Sequence, residues 1–480
     1  MNSPGSEARH GILSSLVSPT SIVVMTFILS RLLYYFLGIR FDSTDLFYAW
    51  QFLDVDLLRE RLIESLFYLH SQPPLFNLFL GVVLKAAPNH LETAFHLVYL
   101  SFGLTMAISL VAVMIRLGVP SIVSTTLTVI FVVSPAAVLY ENWLFYTYPV
   151  ASMLSVSALF LHKWLSEHKS RYGLIFFTGL SCLVLTRNMF QLVWVAFACG
   201  VILIYGRIRI QSLAAIAAVP LILVVGWHVK NWHYFGVFNT SSWTGMNLAR
   251  SQARLLSVEE TLALVERGKL SKLALAPAFS DFDAYGEDVP HPLETNIPAL
   301  DKKVKNDPYG LSISIPNYNY IGYLDISKAN LADTLYIIKS KPYKFAWNVL
   351  DAFWVYIVPA SDYLFLGQNR QRISFLVTKY NALLCGSLKE GQIGLLIALS
   401  LGLSIGYGFY LAVRWLKEKP GDVAYAATVM FVWLTIIYLT IVVNLFEREE
   451  NNRIRFTIEP YVVIMLGIMI DKFRRILFKS

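Results

Sequence analysis

The sequence is short of cysteine, of charge and of compact catalytic signatures. Its 480 residues include three cysteines, Cys182, Cys199 and Cys385. None sits at metal-binding spacing and two lie in apolar runs, so neither a disulfide framework nor a zinc site is expected. Charged residues are 15% of the chain and cluster between apolar blocks, which a soluble surface would not allow. There is no phosphate loop, HExxH or CxxC pair. There is no fixed-period repeat or low-complexity tract. Paired halves with matching broken helices, frequent in inverted-repeat transporters, are also missing.

What remains is hydrophobic. Apolar residues are 56% of the chain and come in blocks of about 20, the length that crosses a bilayer. The net charge is +8, but the cations lie mostly at block ends. They read as topology signals, and no nucleic-acid partner is expected. Spans are expected at about 20–39, 92–116, 121–140, 147–165, 172–186, 188–206, 212–230, 391–415, 423–445 and 457–473. The first is too long for a signal peptide and is expected to be retained. Arg116; Lys163, Lys169 and Arg171; Arg207 and Arg209; Arg414, Lys417 and Lys419; and Lys472, Arg474 and Arg475 fall on every second turn. The positive-inside rule assigns that side, with both termini, to the cytoplasm.

The fold class expected is an all-α polytopic membrane protein of about ten transmembrane helices, with interfacial helices and a small extracytoplasmic domain. Residues 1–230 form a module of seven spans whose first outer loop is 40–90. Residues 231–390 form the extracytoplasmic domain, and 391–480 a module of three spans. Two apolar pieces, Pro74–Ala87 and Phe345–Leu366, read as interfacial or re-entrant, because counting just one of them inverts the charge rule downstream. Within the outer segment, "SVEE" at Ser257–Glu260 is a capping box, and "DISKANLADTLYIIKSKP" an amphipathic helix stopped at Pro342.

Polar residues at the outer ends of the spans carry the candidate chemistry. Asp42 and Asp45, in "RFDSTDLFYAW", could serve as a general base if burial raises the carboxylate pKa, or as solvated loop acids and helix caps. In "LHSQPPLFNLFLG" the double proline fixes an extended entry, with His70 and Gln72 before it at the interface. Arg31, inside the first span, must pair with a carboxylate, bind a lipid phosphate, or snorkel. Arg187 and Asn188 break two apolar runs, as a hairpin turn or an anion site. "KNWHYFGVFNTSSWTGMNLAR", from Lys230 through Trp243 to Arg250, mixes aromatics, cations and amides, as a sugar or headgroup surface does and an interfacial belt also does. In "EREENNRIRFTIEPY", Arg453 and Arg455 either clamp a phosphate or pair with Glu447, Glu449 or Glu459.

With these pieces in order, the chain resembles the GT-C superfamily of membrane glycosyltransferases, and most the branch of the protein O-mannosyltransferases and the lipid A aminoarabinose transferase. The motifs that carry the likeness are "STDLFYAW", "HSQPPLFNLFLG" and "RFTIEPY", together with an outer domain after the seventh span. The resemblance implies an inverting transfer of a sugar from a polyprenyl-phosphate donor to a glycan, lipid or protein acceptor at the outer face. Asp45 would be the base, with Asp42 able to share or take the role. His70, Pro73 and Pro74 would line the site, and Arg455 would contact the donor phosphate. The chain departs from the pattern at Thr44, where the family carries an acid, and at Gln72, where the aminoarabinose branch has lysine. The phosphate's counter-charge must then come from among Arg31, Arg187, Lys230, Arg453 and Arg455. A divalent cation, Mg or Mn, serves some relatives; no spacing here demands a metal. The membrane would be a bacterial inner membrane with the site facing outward, or that of the endoplasmic reticulum with Asn239 as a glycosylation acceptor. Two other readings stand beside it: a ligase or polymerase of lipid-linked glycans, and a lipid-sugar transporter or flippase.

Overall fold

A computed structural model describes residues 18–289, 292–307, 310, 314–386 and 392–478. Among these the regular structure is helical, with no strand and two isolated bridges, Asp42 with Trp143 and Val304 with Pro316. Five helices are long and apolar enough to cross a membrane: Pro19–Phe36, Leu91–Arg116, Ile210–Phe235, Leu395–Lys417 and Val423–Phe446. A sixth crossing arises if Ser121–Val132 and Pro135–Glu141 are taken together across their 58° bend. The chain is an integral membrane protein with several spans.

The bend has a local cause. Ser134 is extended and caps the second piece through Ala137 N, while Pro135 has no N–H to continue the first. The other four expected spans also fall on helices: Thr147–Glu167, Ser170–Thr186, Leu192–Ile204 and Glu459–Leu477. Leu192–Ile204 has 13 residues, about 20 Å of helix, short of a hydrocarbon core of about 30 Å. The two pieces read as interfacial form helices of 13 and 15 residues, Pro74–Ala86 and Pro342–Tyr356, again too short to cross upright. Pro342 does more than stop the helix Tyr323–Ser340: it opens the next one.

Two hydrophobic cores organise the molecule. The main core joins the N- and C-terminal helices and also takes Tyr356, Tyr363, Leu366 and Val377. The second core is aromatic, built from residues between Trp243 and Ile326, including Phe279, Phe282, Tyr318 and Tyr323. The segment expected as one unit over 231–390 therefore divides, and its later part packs with the membrane helices. In the earlier part, Gly245 lets the helices Thr244–Gln252 and Tyr323–Ser340 touch, since a Cβ there would collide with the Ser327 carbonyl. The capping box forms as expected, with Ser257 and Glu260 exchanging bonds.

The connections gather at two ends. At one, Arg116 donates to Glu167 (3.0 Å), Arg207 to the Pro420 carbonyl (3.1 Å) and Arg475 to the Gly118 carbonyl (3.4 Å). These contacts join several of the basic turns expected to share a side. At the other end, Asp42 N donates to the Asn142 carbonyl (2.8 Å) and Tyr438 to the Met189 carbonyl (2.8 Å).

Candidate functional site

The Asp45 end is built from the first loop upward. Leu144 N donates to the Asp42 carbonyl (2.8 Å), so residues 42 and 142–144 run side by side. The Asp42 carboxylate accepts from Thr44 N (2.9 Å), an Asx turn. That turn launches the four-residue helix Asp45–Tyr48. Asp45 is half-buried there, and its Oδ2 accepts from the indole N–H of Trp143 at 2.7 Å. Burial pushes the Asp45 carboxyl up to about 6; the Trp143 bond opposes this, nearby Asp42 adds to it and Arg453 opposes it.

The loop is pinned from the 231–390 segment. His70 Nδ1 lies 2.8 Å from Ser242 Oγ and Nε2 lies 3.0 Å from the Asn319 carbonyl, while His70 N donates to Asn319 Oδ1 at 2.9 Å. Lys302 pairs with Asp54 at 2.5 Å, and buried Lys305 donates to the Ala49 carbonyl at 2.6 Å. Burial brings the Lys305 ammonium down to about 7, with Asp54 and Asp45 opposing.

Beside this loop lies a cavity of about 280 Å³. Its walls come from Gln51 and Gln72, the turn Arg187–Gln191, the stretch Asn239–Arg250, and the end of Val423–Phe446 with Glu447, Glu450 and Ile454. Arg250 pairs with Glu447 at 2.6 Å. Arg453, buried behind the wall, pairs with Glu450 and donates to Thr147 Oγ1 at 3.1 Å. Burial works against the Glu450 carboxylate, yet Arg453, Arg250 and Arg187 hold its pKa well below the ordinary range. Arg187 lies over the Tyr146 ring at 4.5 Å, hydrogen-bonds its hydroxyl, and makes no ion pair among the described residues. Burial and then the charge of Arg453 bring its pKa down to about 9. Arg187 is half-buried and lines the cavity beside another cation with no carboxylate in contact among the described residues, an arrangement that an anion in the cavity would stabilise.

Asp45 is not among the residues that line this cavity; its bond to Trp143 ties it to a short aromatic stack. Trp143 stacks on Phe145 with ring centres 4.5 Å apart, and the Arg453 guanidinium sits 4.7 Å over Phe145.

The structure thus brings together part of the expected set. Gln72, Arg187 and Trp243 line the cavity, Arg453 pairs with its lining residue Glu450 and acts on Asp45, and Asp42 shares the first loop with Asp45. Trp243 also wedges into the second core, edge-on to Phe279 at 4.9 Å. Four expected residues are engaged elsewhere. His70 is not at an interface but buried, with both ring nitrogens occupied. Lys230 donates to the Leu69 carbonyl at 2.9 Å and sits 3.7 Å over Trp227. Arg31 takes a carboxylate: its Nε and Nη2 reach Glu141 at 2.8 Å each, inside the bundle. Arg455 spends its donors on Glu459 (2.6 Å) and the Tyr356 and Val358 carbonyls (2.6 and 3.0 Å). For each, fixed protein partners meet part of the desolvation cost of a buried charge or ring and tie the side chain away from the cavity. Asn239 faces the cavity and bonds Thr244 and Gln191, at 3.2 and 3.3 Å, so a glycan on it would fill that space. Among the described residues no group of three His, Cys, Asp or Glu side chains is placed to hold a metal ion.

Sequence reasoning missed Trp143, Arg250 and Glu450. The signal for the first was near: Glu141 is an acid at the end of an apolar run, which asks for a partner and marks its neighbours "NWLF" as bundle interior. Comparison with protein-family models, with curated proteins and with solved structures gives no match.

Proposed function

We propose that this is a membrane glycosyltransferase of GT-C type, with ten spans and its site at the outer face, that moves one sugar from a polyprenyl-phosphate donor to an acceptor. The observation that carries the reading is the pairing of a carboxylate raised to about 6 with an arginine-walled cavity next to it. The first is what a general base near neutral pH requires; the second is what a departing phosphate requires.

The chemistry follows from the placement. Oδ2 of Asp45 is held by Trp143, so Oδ1 takes the proton of the acceptor hydroxyl or amine. The acceptor atom bonds to the anomeric carbon as that carbon's bond to the phosphate oxygen breaks. The electron pair leaves with the polyprenyl phosphate, whose added charge meets Arg187 and Arg250. Attack and departure on opposite faces invert the anomeric centre. A volume of about 280 Å³ suits a single phosphorylated sugar better than a long glycan, which favours simple transfer over polymerisation. Transport finds less support, since the charge inside the bundle, Arg31 with Glu141, is self-paired.

A photoreactive polyprenyl phosphate without sugar tests the phosphate site. Cross-links are expected in peptides 187–191 and 442–454, reduced by unlabelled polyprenyl phosphate. Cross-links confined to other peptides would overturn the assignment.

A further inference from the structure

The molecule has a second polar cavity, about 490 Å³, at the opposite end of the helices. The helix Leu91–Arg116 measures the separation. Near its start His96 lies against Phe41 of the first loop, ring centres 5.5 Å apart. Just past its end, Leu117 and Val119 line the second cavity. From His96 to Leu117 the helix rises about 32 Å, so this cavity lies about a hydrocarbon core away from the first loop.

Four cations, Arg414, Lys419, Lys472 and Arg475, and three carboxylates, Glu418, Asp422 and Asp471, line this cavity, and Asp422 caps a helix by accepting from Tyr425 N at 2.9 Å. Two of the cations are spoken for, Arg414 by Glu418 at 3.0 Å and Arg475 by Asp471 at 2.7 Å. Lys419 and Lys472 are exposed and make no ion pair among the described residues. Tyr410 and Trp415 line the same space, as aromatics do at the depth of lipid headgroups. Around it stand the other basic turns, the surroundings that draw anionic lipid to a membrane face.

We propose that this cavity binds the phosphate of an anionic membrane lipid, with Lys419 and Lys472 as its counter-charges and Tyr410 and Trp415 against the glycerol and upper acyl chain. The site is independent of the transferase reading: it uses none of its residues and lies on the other face of the bilayer.

The test uses the purified full chain in detergent, titrated with phosphatidylglycerol or with phosphatidylcholine of the same acyl chains and read by native mass spectrometry. Phosphatidylglycerol is expected to bind more tightly than phosphatidylcholine. Lys419→Gln with Lys472→Gln should weaken it by about 30-fold, each lysine near a headgroup being worth about five-fold. Both side chains are exposed, so the thermal midpoint should not move. If the pair fails to fold, Lys419→Gln alone carries the test at about five-fold. Arg171→Gln with Arg209→Gln, basic residues outside the cavity, should change affinity by no more than about two-fold. Equal binding of the two lipids, or equal losses in both double variants, would overturn the site. Full displacement of the lipid by inorganic phosphate would overturn the lipid and leave a site for a soluble anion.

Discussion

Trp143→Phe is the most informative perturbation of the proposed base. The indole N–H donates to Asp45 Oδ2 at 2.7 Å and favours the ionised carboxylate. Phenylalanine keeps an aromatic ring to stack on Phe145 and removes only the donor. A hydrogen bond to a charged group contributes about 1.5–3 kcal/mol, and about 1.4 kcal/mol corresponds to one pKa unit. The carboxyl should therefore rise from about 6 by about one to two units. The sign follows from the chemistry: the base works ionised, so activity is lost as pH falls through its pKa. In the parent protein the acid limb of kcat/KM should have its midpoint near 6, leaving about 90% of the base ionised at pH 7. In Trp143→Phe the limb should move to higher pH, so the loss of rate at pH 6.5 is much larger than at pH 9. The assay is a pH–rate profile of sugar transfer at low donor concentration. A limb that stays in place, or moves to lower pH, would refute the role given to this carboxylate.

Further predictions separate structural from chemical residues. Arg31→Met leaves Glu141 buried without its partner and should cost about 3–5 kcal/mol, read as a lower thermal midpoint; adding Glu141→Gln should recover part of it. His70→Ala strands the Asn319 carbonyl and Ser242, costing about 2–4 kcal/mol, and should lower stability without moving the acid limb of the pH profile. Arg187→Gln should cost little stability, since Arg187 makes no ion pair among the described residues and Glu450 keeps Arg453, and slow transfer about 100-fold, the scale of losing one stabiliser of developing charge. Gly245→Ala should loosen the packing of Thr244–Gln252 on Tyr323–Ser340 by about 1–3 kcal/mol, read by proteolysis between residues 253 and 300.

Much of the architecture was legible because membrane helices announce themselves by apolar length and by the cations at their ends. The capping box at Ser257 and the stop at Pro342 were equally local, and local rules hold them. What could not be read was partnership across long sequence distances. Whether Arg31 binds lipid or carboxylate depends on Glu141, 110 positions away. Whether His70 lines a site or pins a loop depends on Asn319, which no spacing ties to it. Arg455 is the contrasting case: its pairing with Glu459, four residues on, stood beside the phosphate clamp as a reading of the sequence, and the structure shows that pair. Arg187, read first as a hairpin turn with anion binding as the alternative, gains a candidate role because the fold places it on the cavity without an ion pair among the described residues.

The most direct measurement is sugar transfer in proteoliposomes from radiolabelled polyprenyl-phosphate sugars to envelope acceptors, with the parent protein beside Asp45→Asn. The account predicts label on an acceptor with the parent and a rate lower by about 100- to 10,000-fold with the variant at equal expression. Transfer undiminished in Asp45→Asn would contradict the assigned base, and label staying on lipid with every donor would contradict the transferase itself.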